Sequence, residues 1–596
     1  MGAAKRVYLY TVSAISLLVV SVGLYNLVAL VLGELADAFG ASVIGGDRGT
    51  GREQISLAIA LVVVGLPIFA IHWVFVQRGW RGTDEAAFEE RHSSLRAFHF
   101  GFVATIALAV STFAALQIVN EALTILLGVD RFGGGGRLTD DVAMVLVAGP
   151  IWWYHARRRS ADLRHDRLTG ASAWLTRLHR YGWAFAGLMF LVIGTSGVVE
   201  TLASVVIGRS GFGADDRLWL GQLAWSLSAI AVGSALFWFH ADDARGVIRD
   251  AEIIGEDDRA TATRAAYFGV VILVGLTDVG VTIAASIAAL GERVLGIADA
   301  SGMSSFLELV VGPLLVAVPF AVAGWLHWTA LLREARGRSP IALASAVRLE
   351  LHLGAGVGLT FLAVGAAQLL GRVIEVIVGS EVGDDFFRRE IVRFIALMVV
   401  GAALWIPSWT AIVRRRGADP STERRATTGR GYLFLVVGAA LVAAVPSAVF
   451  TLYRLIDLIL GGRAVALGSD LAIPVAVVIV ASLIGAYHGR LVVSDMRFAA
   501  AEEAQEAEEA EQAEAAAARM AGLDVQTMTA PAVASLSLTL RAPSGTDLAA
   551  IANDLRARLP AGVVLEGLPA GGAPVAPTVD VPAWTDDGGP AAADVT

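Results

Sequence analysis

Long apolar runs dominate the chain. Twelve can be marked, near residues 8–33, 55–77, 98–128, 141–156, 181–207, 218–240, 265–290, 306–331, 351–378, 391–413, 431–461 and 470–493. A bilayer is crossed by roughly 20 apolar residues in helical form. The helix satisfies its own backbone groups where no water is present. Most of the runs meet that length easily; 141–156 is short and needs residues from its flanks. The expected fold is an all-α polytopic membrane protein with twelve transmembrane helices.

The runs fall into pairs. Each pair opens with an arginine close to an aromatic or histidine residue: Arg6-Val7-Tyr8, Arg96-Ala97-Phe98, Arg177-Leu178-His179, Arg264 to Tyr267, Arg348 to His352 and Arg430-Gly431-Tyr432. Each closes on a stretch rich in tryptophan, tyrosine and histidine: Gly65 to Trp73, Gly149 to His155, Phe237 to His240, Gly324 to Trp328, Trp405 to Trp409 and Ala486 to His488. Both markers recur with a period of about 80 residues. Two independent markers with one period indicate a tandemly repeated two-helix hairpin. Six repeats are expected, over residues 1–92, 93–172, 173–260, 261–344, 345–426 and 427–497.

Arginine placement orients them. The loops between hairpins are basic, most densely at Arg157-Arg158-Arg159, Arg414-Arg415-Arg416 and Arg424-Arg425, whereas the loops within hairpins are rich in Gly and Asp. The positive-inside rule then puts both termini in the cytoplasm. With an even number of spans per repeat, every hairpin enters the membrane the same way up. Inverted-repeat transporters are a poor match to that arrangement, though parallel-repeat transporters exist.

The pattern changes after Arg497. Residues 498–530 are mostly Ala, Glu and Gln, good helix formers, and predict an acidic helical stalk of coiled-coil type with a linker. Val533 to Arg541 alternates apolar and polar residues as a strand does. A turn at Ala542 to Gly545, a helix bearing Leu548, Ile551, Leu555 and Leu559, and a second strand at Val563 to Glu566 complete a small cytoplasmic α/β unit over 531–567. Residues 568–596, rich in Pro, Gly, Ala and Asp, lack the apolar content to fold.

Composition supports this reading and narrows the chemistry. The chain is 56% hydrophobic and 17% charged, against about 25% charged in soluble domains. It has no cysteine, which excludes disulfides, thiolate zinc sites, iron–sulfur clusters and thiol catalysis. Lys5 is the sole lysine; with the richness in Ala, Gly and Val this indicates a GC-rich bacterial genome, and hence the bacterial plasma (inner) membrane. The net charge is −9. Residues 498–596 alone sum to −11, so the membrane part is close to neutral, at +2. The arginine clusters fit topology and anionic lipid better than nucleic acid.

Two sets of residues are candidates for chemistry. One is His72, His155, His240, His327 and His488, with Ser408 in the place of a sixth histidine. His72 lies about 25 Å along a helix starting near Ile55, at 1.5 Å per residue. That depth predicts a cytoplasmic interface belt shared with the nearby tryptophans, because amphipathic rings favour the headgroup zone. Facing histidines could also ligate haem or relay protons. The other set is a polar path of Asp278, Glu200 and Glu121 inside the apolar runs. An isolated carboxylate at the depth of Asp278 should face the bundle, be paired or be protonated. Arg372–Glu375 and Arg454–Asp457 are spaced to neutralise each other on one helix face. No HExxH, GxSxG or phosphate-loop pattern occurs, so no catalytic, metal or cofactor residue is assigned.

The paired helices, with arginine–aromatic openings and endings such as His72-Trp73, His327-Trp328 and Tyr487-His488, resemble a bacterial multi-span membrane domain family of unknown function. The likeness covers about residues 5–497, and the fifth copy departs from it at Ser408-Trp409. It implies a membrane protein built of repeated hairpins and carries no activity, ligand or cofactor with it. The expected role is a non-enzymatic membrane scaffold or sensor. Its partners would be the lipid bilayer and, through the tail, a second copy or a cytoplasmic protein. The alternative is a transporter or channel with a path around Asp278.

Overall fold

The computed structural model describes residues 3–39, 52–78, 85–129, 138–165, 170–207, 218–250, 261–297, 307–378, 384–460 and 467–525. Among the described residues every regular element is helical. The expected α/β unit at 531–567 and the tail at 568–596 lie outside them.

The hairpins are α1 (Ala3–Ala38) with α2 (Arg52–Arg78), α4 (Ser94–Leu126) with α5 (Leu138–His165), α6 (Gly170–Ile207) with α7 (Leu218–Asp250), α8 (Ala262–Val294) with α9 (Gly312–Arg338), α10 (Pro340–Ile377) with α11 (Asp384–Ala418), and α13 (Thr427–Ile459) with α14 (Leu467–Val525). Short helices α3 (Glu85–His92) and α12 (Pro420–Arg425) connect hairpins, and a π-helical turn, Leu307–Val311, leads into α9. Several connections between helices carry side-chain caps. The Ser339 hydroxyl accepts from the Ala342 N–H at 3.1 Å, with Pro340 opening α10. Asp419 does the same for Thr422 at 3.2 Å, ahead of Pro420. Such oxygens satisfy donors that a first helical turn leaves open.

Eleven helices are long and apolar enough to cross a membrane, among the described residues. Twelve were expected; the exception is α5. Its helix does extend into both flanks, but Asp140 and Asp141 at one end and Arg157, Arg158 and Arg159 at the other leave a short apolar centre. The helices also outrun the apolar windows read from sequence. The histidine-bearing stretches are therefore not helix ends: α2 continues past His72 to Arg78, α9 past His327 to Arg338, and α14 past His488 through the acidic segment to Val525.

Five hairpins are closely packed pairs, and small residues make this possible. A Cβ on Gly233 of α7 would come within 2.9 Å of the Gly187 carbonyl on α6, and one on Gly401 of α11 within 2.8 Å of the Gly358 carbonyl on α10. Backbones meet there directly, as small residues allow between membrane helices. In the sixth hairpin Tyr432 of α13 meets His488 of α14 at a ring separation of 6.0 Å, and Leu491 and Val492 pack against the cluster that includes Tyr432 and Leu433.

A longer period organises the hairpins. Arg6, Arg177 and Arg348 are 171 residues apart in both intervals, so hairpins combine two by two into three four-helix quartets. Neighbouring quartets touch: α4 packs on α6 and α7, and α8 packs on α10 and α11. No extensive contact joins the first quartet to the third among the described residues. The quartets therefore follow one another in a row.

Candidate functional site

Each quartet gathers its markers at one end. In the first, α3 brings Glu90 under α1, where Arg6 Nε donates to it at 2.8 Å and the Tyr10 hydroxyl at 2.7 Å. Arg96 of α4 is wholly buried; it donates to the Tyr10 hydroxyl at 3.3 Å and lies over the Phe100 ring at 4.7 Å. A buried guanidinium is stable only when paired and hydrogen-bonded. Here Tyr10 links it to Glu90, with Arg6 completing the group. Beside this group the Trp73 indole donates to the Tyr154 hydroxyl at 2.8 Å. His99 and His155 sit at a ring separation of 5.9 Å, with Trp73 5.6 Å from each and Phe100 packed at 5.7 Å and 5.6 Å.

The other quartets vary the theme. In the second, Arg264 donates to Glu334 at 3.0 and 2.5 Å and to the Tyr181 hydroxyl at 2.8 Å, while Tyr267 and His327 share a hydrogen bond of 2.9 Å. In the third, Arg348 pairs with Glu423 at 2.9 Å, Arg416 pairs with Asp495, and Trp409 donates to the Tyr487 hydroxyl at 2.8 Å. His352 stands where the first two quartets have Tyr10 and Tyr181, and Arg430, the opening arginine of the sixth hairpin, donates instead to the Arg424 carbonyl at 3.2 Å.

The five predicted histidines share one local geometry. Each Nδ1 lies 2.7–3.0 Å from the carbonyl four residues earlier: Ile68 for His72, Ile151 for His155, Leu236 for His240, Ala323 for His327 and Ile484 for His488. A carbonyl can only accept, so Nδ1 carries the proton and Nε2 is left as an acceptor. Their exposure divides the set. His155, His240 and His488 are buried among helices, whereas His72 and His327 are half-buried and meet Tyr8 and Tyr267. Three of the five imidazoles thus face protein. Trp153, Trp238 and Trp325 are exposed nearby, as are Tyr8 and Phe239.

The opposite, hairpin-loop end holds a cavity of about 780 Å³ between α6, α8, the π turn, α9 and α11. Alanines 284, 285, 288 and 289 leave its wall bare, and Glu200, Glu292, Glu308 and Arg393 bring charge to it. Arg393 pairs with Glu292 at 3.1 Å. Ser286 donates to the Val310 carbonyl of the π turn at 3.0 Å, satisfying a backbone group in a segment that departs from α-helical bonding. Of the predicted polar path, Glu200 lines this cavity. Asp278 lies one helical turn before Thr282 of its wall, with a buried Oδ2 that has no hydrogen-bond partner. Glu121 belongs to α4 in another quartet, so the three carboxylates are not brought together. Sequence reasoning missed Glu292, Glu308 and Arg393. The signal available was a charge within or beside an apolar run, as for Glu200. The two predicted ion pairs do form: Arg372–Glu375 at 2.6 Å and Arg454–Asp457 at 3.6 Å.

Among the described residues no three His, Asp or Glu side chains are placed to hold a metal ion.

Comparison with known families matches a domain of unknown function (DUF5671) at residues 6–136, 177–322 and 348–483. The chain belongs to this family. Each match begins on the opening arginine of a quartet, Arg6, Arg177 or Arg348, so the family domain has the period of two hairpins. No curated protein and no solved structure matches the chain.

Proposed function

We propose that this family member is a multi-pass sensor of the bacterial inner membrane. It is non-enzymatic and has its termini in the cytoplasm. The observation that carries the reading is a large cavity at one end of the middle quartet, flanked by outer quartets whose other ends are packed. The 780 Å³ space lies at the hairpin-loop end. At the other end Arg96, Phe100 and Val76 of the first quartet are fully buried, and Leu433 and Trp409 close the third. A pocket of this size with charged groups on its wall suits reception of a ligand. Arginine-rich stretches beside the packed end support the cytoplasmic orientation. On this reading α5 is the twelfth span, held between the acidic pair at one interface and the arginine triplet at the other. The residues beyond Arg497 carry the signal to a second copy or a soluble partner.

A transporter is the second reading, and Asp278 favours it: an unpartnered carboxylate oxygen inside a span is expensive unless it has a task. Flux of H⁺, Na⁺ and K⁺ into proteoliposomes separates the two. The sensor reading expects rates equal to those of empty liposomes. Flux that Asp278→Asn abolishes would replace it with the transporter.

A further inference from the structure

Aligned on the quartet period, the second helix of each quartet recurs at 168 residues, so Trp73, Ala241 and Trp409 hold one position. Tyr154, Leu326 and Tyr487 hold another, each directly before the histidine of the fourth helix. In the outer quartets these positions are an indole and a phenol joined at 2.8 Å. In the middle quartet both have been exchanged for small or apolar residues together.

The walls around the missing indole have been kept. Trp73 stacks on Phe69 at 5.6 Å, meets His99 at 5.6 Å and Phe100 at 5.7 Å, and shares a core with Tyr10. Their counterparts in the middle quartet are Phe237, Tyr267, Phe268 and Tyr181. Those four, with Ala241, line a cavity of about 200 Å³. The polar atoms nearby are already engaged with one another. The Tyr181 hydroxyl takes Arg264, Arg264 takes Glu334, and the Tyr267 hydroxyl meets His327. With Leu326 in the tyrosine position, the hydroxyl that accepts an indole N–H in the other quartets is missing.

We infer that the middle quartet binds a small, planar, apolar aromatic molecule in the place that tryptophan fills in its neighbours. An apolar cavity of roughly 150 Å³ stays dry and accepts benzene, so 200 Å³ has room for a fused pair of rings. The surrounding aromatic rings offer the stacked and edge-on contacts that such a molecule prefers. Two plugged copies of the same site state the shape of the ligand.

The test uses the full chain in lipid nanodiscs, with 1-fluoronaphthalene and 5-fluoroindole as probes read by fluorine NMR. The expected result is one saturable site per chain, preferring the naphthalene. Ala241→Trp and Ala241→Phe each weaken it at least tenfold. Trp73→Ala and, separately, Trp409→Ala add a second site. Because Tyr154 or Tyr487 remains to accept an N–H, that added site prefers the indole. Uptake that both Ala241 substitutions leave unchanged overturns the inference. So does an absence of saturable uptake by the wild type under conditions where Trp73→Ala or Trp409→Ala takes up one equivalent. Binding in detergent that vanishes in nanodiscs also overturns it, by assigning the cavity to a lipid acyl chain.

Discussion

The indole of Trp73 donates a 2.8 Å hydrogen bond to the hydroxyl of Tyr154, tying α2 to α5 across the first quartet. Trp409 and Tyr487 tie α11 to α14 in the same way.

Removing one partner should therefore reveal both a packing and a polar contribution. Tyr154→Phe leaves the buried N–H of Trp73 unsatisfied and is expected to cost about 1–3 kcal/mol. Trp73→Ala opens a cavity and is expected to cost about 3–5 kcal/mol. Thermal unfolding in nanodiscs measures both. A double-mutant cycle should return a coupling of about 1 kcal/mol; a coupling near zero would mean that the two groups do not interact.

The close backbone approach between α10 and α11 makes a second prediction. Gly401→Val must push against the Gly358 carbonyl and the Leu362 backbone, which a Cβ alone would reach at 2.8 and 2.7 Å. Overpacking of this kind costs about 1–3 kcal/mol and often more. The melting temperature should fall, whereas Gly417→Ala, with nothing near its Cβ position, should leave it unchanged.

Asp419 provides a pH test outside the spans. The Thr422 hydroxyl, then its backbone N–H, hold this carboxyl below the usual carboxylate range. A depressed folded-state value means that the ionised cap stabilises α12 above the ordinary carboxylate range. That contribution fades as pH falls through the lowered value. Hydrogen exchange across residues 420–425, corrected for intrinsic rate, should show the short helix loosening in acid. Asp419→Asn should keep the cap and remove the pH dependence.

The absence of cysteine in the chain allows topology to be read one residue at a time. Ala289→Cys, in the cavity wall, should react with a membrane-impermeant maleimide added from the periplasmic side of cells. Ala104→Cys, buried in α4, should not react from either side. Labelling of position 289 from the cytoplasmic side alone would invert the proposed orientation.

Much of the architecture was legible in advance because it is written in runs and repeats. Apolar length announces each span, and Arg6, Arg96, Arg177 and their successors mark every hairpin. The larger unit was harder to see. The alternating intervals between successive opening arginines, 90 then 81 and 87 then 84, hide the equal 171-residue steps from Arg6 to Arg177 to Arg348. Side-chain direction was not legible at all. His155 and His72 carry the same sequence signature, yet one faces the core and the other meets Tyr8 at the edge. The cavity was invisible for a related reason: Glu200, Glu292, Glu308 and Arg393 come from four separate elements. A charge beside an apolar run does not say which helix it will face. The status of α5 turned on a few charges at its ends, where counting apolar residues is least decisive.

The row of quartets has a mechanical consequence. The middle quartet touches α4 on one side and, through α8, α10 and α11 on the other. A displacement of its helices reaches two neighbours, whereas one in either outer quartet reaches a single neighbour. The central position is thus the natural fulcrum of the array, the place from which a small change in packing is felt along the greatest length of chain.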